Sequence, residues 1–338
     1  MRACVLTNKN EIEYKEIETP KIKEDELLIE IKACGICSSD FNRVFGDSAY
    51  FYPLVLGHEF AGKITKCGNR IDDKKYLNKK AVIFPLLPCF ECEYCKQKSY
   101  AQCKNYKYFG SRCNGAMAEY IAAPEWNIKL LPDDMPFEIG ALSEPTAVAV
   151  NAISKVSNLD ITKDVCICGS GVIGIICGII AKSRGANVTF LVRNVQKKEF
   201  LSKLGFENYI EENSDNKQYD IVFECVGSNK SINNCLKLVK AKGEIIFVGN
   251  PEGDILFEKG NYWKILRSEL TVKGVWNSHF KNSENDDWDK AIEFLYKNQK
   301  EVCGLITDKF KLSDGIKAFE TMRDKSQIHV KGVFVNEE

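Results

Sequence analysis

The chain is poor in histidine, has no net charge and contains no long apolar run, and each shortage narrows what it can be. Only three histidines occur in 338 residues, so imidazole chemistry has to fall at one of three places. Lysine plus arginine equals aspartate plus glutamate, 47 each. A formal charge of zero argues against nucleic acid as a partner, while leaving room for a basic pocket that takes one phosphate. The longest apolar stretch, VIGIICGII, falls short of the roughly 18 residues a bilayer span needs. The first 30 residues show no basic segment followed by an apolar one. A cytoplasmic protein without membrane association is expected. No internal repeat, low-complexity tract or long linker interrupts the sequence.

Cysteine, by contrast, is abundant, with 15 residues. A disulfide framework suits a small secreted domain and not a chain of this size. Ten of the cysteines are scattered, mostly in apolar stretches, and are expected as reduced core thiols. The other five are organised. Cys89, Cys92, Cys95 and Cys103 follow C-x2-C-x2-C-x7-C, four thiolates on one short loop, the set a tetrahedral zinc requires. Bacterial iron–sulfur loops also begin C-x2-C-x2-C, but their next spacing is shorter and followed by proline. With all four positions filled by protein the zinc would be structural, and Lys96, Lys98 and Lys104 would offset part of its negative charge.

The fifth, Cys37 in GICSSD, joins His58 and Glu59 in LGHEF. A soft thiolate, an imidazole and a carboxylate suit a catalytic zinc. Asp40 is placed to hold the second nitrogen of His58, and the Ser39 hydroxyl to contact an alkoxide on the metal. Neighbours on a regular strand face opposite ways, so Glu59 is either a ligand or stands close behind one.

Further on, CGSGVIG follows a strand and opens a helix. Its Gly169, Gly171 and Gly174, with Val172 and Ile173 between them, match the dinucleotide fingerprint. The glycines let the backbone approach a pyrophosphate, which the helix N-terminal amides then face. At the end of the next strand, FLVRN puts Val192 where an NAD-binding chain usually has an acid, and Arg193 follows it. Without the carboxylate a 2′-phosphate is not repelled, and an arginine can pair with it. NADP(H) is therefore expected over NAD(H).

The first 125 residues look β-rich, with ELLIEIKACGI and AVIFPLL as strands. From about Ala147 strands alternate with helices (DVCIC, NVTFLVR, DIVFECVG, GEIIFVG, LTVKGVW), the pattern of a doubly wound parallel sheet. After Trp276, DDWDKAIEFLYKNQ and SDGIKAFETMRD read as helices, the second opened by a Ser-Asp cap, and HVKGVFV as a terminal strand. This tail is expected to rejoin the first domain.

In chain order, GICSSD, GHEFAG, the four-cysteine lobe, GAMAEYI, LSEPTAVAVNA and the glycine turn resemble the zinc-containing medium-chain dehydrogenase/reductase family. The likeness is strongest to polyol-phosphate dehydrogenases of the galactitol-phosphate type, through FNRVF, YFYPLVLGHEF, NYWKILRSELTVKGVWNS and LITDKFKLSDGIKAFE. The resemblance implies an α/β protein. Its GroES-like β-barrel catalytic domain would span 1–147 and 281–338, with a structural zinc lobe at 89–103. A Rossmann domain would be inserted at 148–280. It further implies two zinc ions per subunit and a homodimer or homotetramer. Cys37 and His58 become catalytic zinc ligands, with Glu59 as third ligand or close neighbour. Glu144, in SEPTAVA, matches the glutamate that polyol dehydrogenases set beside the metal. The implied reaction is hydride transfer between a sugar alcohol, preferably phosphorylated, and its ketose. Unphosphorylated sorbitol-type or threonine-type substrates are the alternatives. Zinc would polarise the carbonyl or acidify the alcohol, Ser39 or a water held by Glu144 would move the proton, and the nicotinamide would carry the hydride. Arg43, six residues past Cys37, is the candidate for a substrate phosphate.

Overall fold

The computed structural model describes residues 1–193, 195–211, 217–251, 253–282 and 285–336. The chain divides into two compact units, Met1–Ala147 with His279–Glu338, and Val148–Ser278.

The first unit is built on a seven-stranded sheet. Its order is Ile128–Leu130, Lys80–Ile83, Glu59–Cys67, Glu26–Gly35, Lys331–Val335 and Ile306–Phe310, with Tyr120–Pro124 also pairing on Glu26–Gly35. The central strand reads ELLIEIKACG. Leu27, Ile29, Ile31 and Ala33 are buried while the residues between them are half-buried, the period of two that a pleated strand imposes. The C-terminal strand Lys331–Val335 lies beside Glu26–Gly35, with Val333 opposite Gly35. The tail thus returns to the first unit.

Between Ser278 and His279 the chain passes from one unit to the other, two residues before the expected 280/281 join. The reason is Phe280, which stacks on Phe84 at 4.5 Å and sits edge-on to Trp126 and Trp288. Trp126 in turn packs against Phe90 and Tyr100 of the cysteine lobe, with centroids 5.0 and 4.9 Å away. The lobe is anchored to its unit by aromatic contacts.

One sequence expectation needs correction. Ser313 and Asp314 do not cap a helix; they lie in a 3-10 turn, Leu312–Asp314, where the Asp314 carboxylate accepts from the Lys311 amide at 2.7 Å. The helix is Ile316–Arg323, and its N-cap is Gly315 at φ 48°. That left-handed backbone favours glycine over serine or aspartate.

The second unit is a six-stranded parallel sheet ordered Asn208–Glu211, Asn187–Val192, Asp164–Cys168, Tyr219–Glu224, Val239–Phe247, Thr271–Gly274. Five of these strands are legible in the sequence; NYIE, at the edge, is too short to show a period. Cys166, Ile167, Cys168, Val222 and Phe223 are fully buried, as expected where a parallel sheet is covered on both faces. All 15 cysteines are free thiols. Among the described residues no helix is long and apolar enough to cross a membrane.

Candidate active site

Three neighbouring strands of the first unit end at one place. Gly35 pairs with Glu59 on one side and with Val333 on the other. This register sets Cys37, the His58–Glu59 pair and Lys331 side by side, although they span almost the whole sequence. Gly57, at φ 97°, turns the chain just before His58. The strand begins only at Glu59, so the alternation of a regular strand does not apply to the pair. The ligand atoms of Cys37, His58 and Glu59 all lie within 4.8 Å of one another.

Cys37 also caps the helix Ser38–Val44, and its backbone N–H donates to Asp40 at 3.1 Å. Asp40 Oδ1 stands 3.6 Å from His58 Nδ1. That is just outside hydrogen-bond reach, and Nδ1 has no hydrogen-bond partner. The same oxygen accepts from Arg43 Nη1 at 2.8 Å, and Arg43 also donates to Ser39 Oγ at 3.0 Å. Ser39 Oγ in turn donates to Cys37 Sγ at 3.4 Å. Arg43 thus sits on Asp40 and Ser39.

Glu59 is buried, and its Oε2 accepts from the buried Lys331 ammonium at 2.5 Å; Lys331 also donates to the Ile36 carbonyl at 3.0 Å. Burial pulls the Lys331 pKa down, but the Glu59 carboxylate and Cys37 outweigh it and hold it above the usual value. The Glu59 carboxylate lies so close over Gly35 that a Cβ there would come 2.3 Å from Oε2. Glu144, in the first turn of Ser143–Ser154, is buried, and its Oε1 accepts from Tyr108 Oη at 3.1 Å. Burial raises its pKa to about 7, against the pull of His58.

These residues fit a zinc ion. Packing around the sulfur, with the carboxylates of Glu59 and Asp40, pushes the Cys37 thiol up to about 12. A thiolate there therefore needs a positive charge at the site, which a divalent metal would supply. His58 Nδ1 is turned toward Asp40, leaving Nε2 for the metal.

The cysteine lobe fits a second ion. Its Sγ–Sγ separations are 3.5 Å for Cys89–Cys103, 3.9 Å for Cys92–Cys103 and 4.0 Å for Cys89–Cys95. A tetrahedral zinc with Zn–S bonds of about 2.3 Å sets its sulfurs about 3.8 Å apart. Backbone N–H groups of Lys104 and Cys95 draw the Cys92 thiol down to about 6, favouring the thiolate. Phe90 and Lys98 adopt left-handed backbone at φ 59° and 61°, on either side of the short helix Glu93–Lys96. The Lys104 ammonium pairs with Glu93 at 2.7 Å.

In the second unit the glycine turn joins the strand Asp164–Cys168 to the helix Val172–Ser183, whose N-cap is Gly171. Gly169 has φ 117°, and a Cβ on Gly174 would meet the Gly169 carbonyl at 2.1 Å. A Cβ on Gly171 would meet nothing within 4 Å. That opening is where a pyrophosphate would face the first-turn amides of Val172 and Ile173. Val192 ends its strand buried, and Arg193 beside it is exposed.

Residues 23–133 match the alcohol dehydrogenase GroES-like domain, and residues 172–297 match the zinc-binding dehydrogenase family. Galactitol 1-phosphate 5-dehydrogenase of Escherichia coli K12 is 31% identical, over 90% of this chain and 92% of that one. The chain belongs to the zinc-dependent alcohol and polyol dehydrogenases. D-arabitol-phosphate dehydrogenase of Enterococcus avium is 30% identical over 95% of this chain and 93% of its own. Sorbitol dehydrogenase of Bacillus subtilis is 28% identical over the same shares. A crystal structure of galactitol-1-phosphate dehydrogenase from Escherichia coli superposes with a TM-score of 0.90 at 29% identity, covering 99% of this chain and 100% of that one.

Three residues of the candidate sites, two in the first unit and one in the second, escape a sequence reading. Lys331 is 272 positions from the carboxylate it holds, and nothing local marks it. Tyr108 sits with its ring edge-on to His58 at 5.7 Å while its hydroxyl holds Glu144; its only signal is a place in the run after the lobe. Glu224 is fully buried and accepts from the Val226 and Gly227 amides and from Ser231 Oγ, at 3.0, 2.9 and 2.6 Å. It fixes the loop that packs behind Gly169. A carboxylate ending an apolar strand was the available clue.

Proposed function

We propose that the dehydrogenase interconverts a polyol phosphate and its ketose phosphate with NADP(H), using one catalytic and one structural zinc per chain. The observation that carries the reading is Glu144, a buried carboxylate beside a thiolate–imidazole pair. A hard, hydrophilic donor there suits a substrate rich in hydroxyl groups. Two of the relatives are named for phosphorylated polyols and one for sorbitol, so the unphosphorylated reading stays as the second.

When bound, zinc would act as a Lewis acid on the substrate oxygen. Cys37, His58 and one oxygen of Glu59 would hold it, with Lys331 keeping the other oxygen of Glu59 in place. Ser39 Oγ is steadied by the Arg43 N–H and can relay the hydroxyl proton, taking it as its own O–H proton passes to water. Glu144, raised to about 7, can hold or release a proton near neutral pH.

On the cofactor side, a buried valine at the strand end offers nothing to a ribose 2′-hydroxyl, and Arg193 is beside it for a 2′-phosphate. Oxidation or formation of the reduced cofactor at 340 nm tests the whole reading. NADPH and NADH would be compared against ketose phosphates, the free ketoses and 2-amino-3-ketobutyrate. Turnover of a ketose phosphate with NADPH is expected. Arg193→Ala should lower kcat/KM for NADPH about ten- to a hundredfold, the loss of a charged hydrogen bond of about 1.5–3 kcal/mol, and leave NADH nearly unaffected. A wild-type preference for NADH would refute the cofactor assignment, and activity confined to the amino ketone would refute the substrate.

A further inference from the structure

Arg43 and Arg112 both belong to the unit that holds the metal ligands, but only one of them has a charge to spare. Arg43 donates to Asp40, which is fully buried, and its Nε is itself buried without a partner. Its charge is matched within the protein. Arg112 has no such match. Its guanidinium carbon lies 4.2 Å from the ring centroid of Tyr106 and 4.9 Å from that of Tyr50, and Nη2 donates to Tyr50 Oη at 3.2 Å. Among the described residues no carboxylate pairs with it.

The turn carrying Arg112 is fastened to the reacting centre from two sides. The Tyr108 carbonyl accepts from the amides of Ser111, Arg112 and Cys113 at 3.2, 2.9 and 3.2 Å. Tyr108 is the residue whose hydroxyl holds Glu144 and whose ring meets His58. On the other side, Gly110 lies so near Gly57 that a Cβ would come within 2.7 Å of the Gly57 backbone, and Asn114 Oδ1 accepts from the Val55 amide at 3.0 Å. Tyr106 packs edge-on to Tyr108 at 6.3 Å. One run of contacts therefore leads from His58 and Glu144 through Tyr108 and Tyr106 to Arg112 and Tyr50.

The surroundings of Arg112 are chemically specific. Two aromatic faces hold a guanidinium in place through its planar surface. They leave N–H groups at its edge, which can bind two oxygens of a phosphate in parallel. A carboxylate partner would have cancelled that capacity, and none is present.

We propose that Arg112, held between Tyr50 and Tyr106, binds the phosphate of the substrate and selects phosphorylated over free polyols. This assignment rests on the polyol-phosphate reading above and replaces Arg43 in that role. The zinc-loaded full chain and its Arg112→Gln and Arg112→Lys variants would be titrated calorimetrically with galactitol 1-phosphate, D-arabitol phosphate, galactitol and D-arabitol. Values of kcat/KM would be measured alongside. Arg112→Gln should weaken binding of both phosphates about a hundredfold and leave the free polyols within about threefold. Arg112→Lys, which keeps the charge without the fork, should fall between. If wild type prefers phosphates and Arg112→Gln keeps that preference, or loses affinity for phosphorylated and free polyols alike, the assignment to Arg112 is wrong while the substrate reading stands. A wild type that binds free and phosphorylated polyols equally overturns the substrate reading and this assignment with it.

Discussion

Glu59 has two oxygens, and Lys331 occupies one of them at 2.5 Å in a place where both side chains are buried. Two full charges in such surroundings hold each other, and removing one strands the other. Lys331→Met is therefore expected to cost about 3–5 kcal/mol in urea unfolding with a chelator present, so that metal binding does not mask the loss. Glu59→Gln alone strands the ammonium instead. The double variant removes both charges and should recover much of the penalty. Penalties that simply add in this cycle would mean that the two residues do not act as a pair. Gly35 belongs to the same unit of structure, because any side chain there would displace the Glu59 carboxylate.

At the scale of elements, what could be read in the sequence and what could not have different physical origins. The clustering of the cysteine lobe was legible because its four cysteines lie within 15 consecutive positions, Cys89 to Cys103, and their spacing alone restricts the chemistry. The glycine turn was legible because each glycine answers a local demand: a positive φ at Gly169, backbone contact at Gly174, open space at Gly171. Lys331 was not legible, since its role depends on the register of Lys331–Val335 against Glu26–Gly35, which no local pattern states. The misplaced cap at Ser313 has the opposite cause: a good local signal was overruled by Gly315. For the lobe itself, a metal held by four thiolates should be lost when one is removed. Metal analysis of the purified wild type is expected to give two zinc ions per chain, and Cys95→Ser one. The variant should also melt at a lower temperature, because the lobe packs on Trp126 through Phe90 and Tyr100. Two ions retained in Cys95→Ser would show that the lobe does not bind zinc through this cysteine.

For the whole molecule, composition excluded more than it specified. Zero net charge and the lack of a long apolar run narrowed the class, while the division into units followed from where strands begin to alternate with helices. Zero net charge also means that two copies do not repel each other. Seven of the exposed large apolar side chains fall between Leu256 and Trp276. The strand Thr271–Gly274 lies within that stretch at the end of the parallel sheet, and among the described residues it has a partner on one side only. An open sheet edge next to exposed apolar residues is a place for another strand to add. A second copy of the same chain can meet it about a two-fold axis, each edge matching the other. The expected result is a dimer in light scattering on the zinc-loaded protein, and Val272→Lys with Trp276→Lys should shift its mass toward the monomer. Like charges would then face each other across the axis whichever residue meets which, so mixing these chains with chains carrying Val272→Glu and Trp276→Glu should bring the dimer back. A mass unchanged by the paired substitutions would place the association of this dehydrogenase elsewhere on its surface.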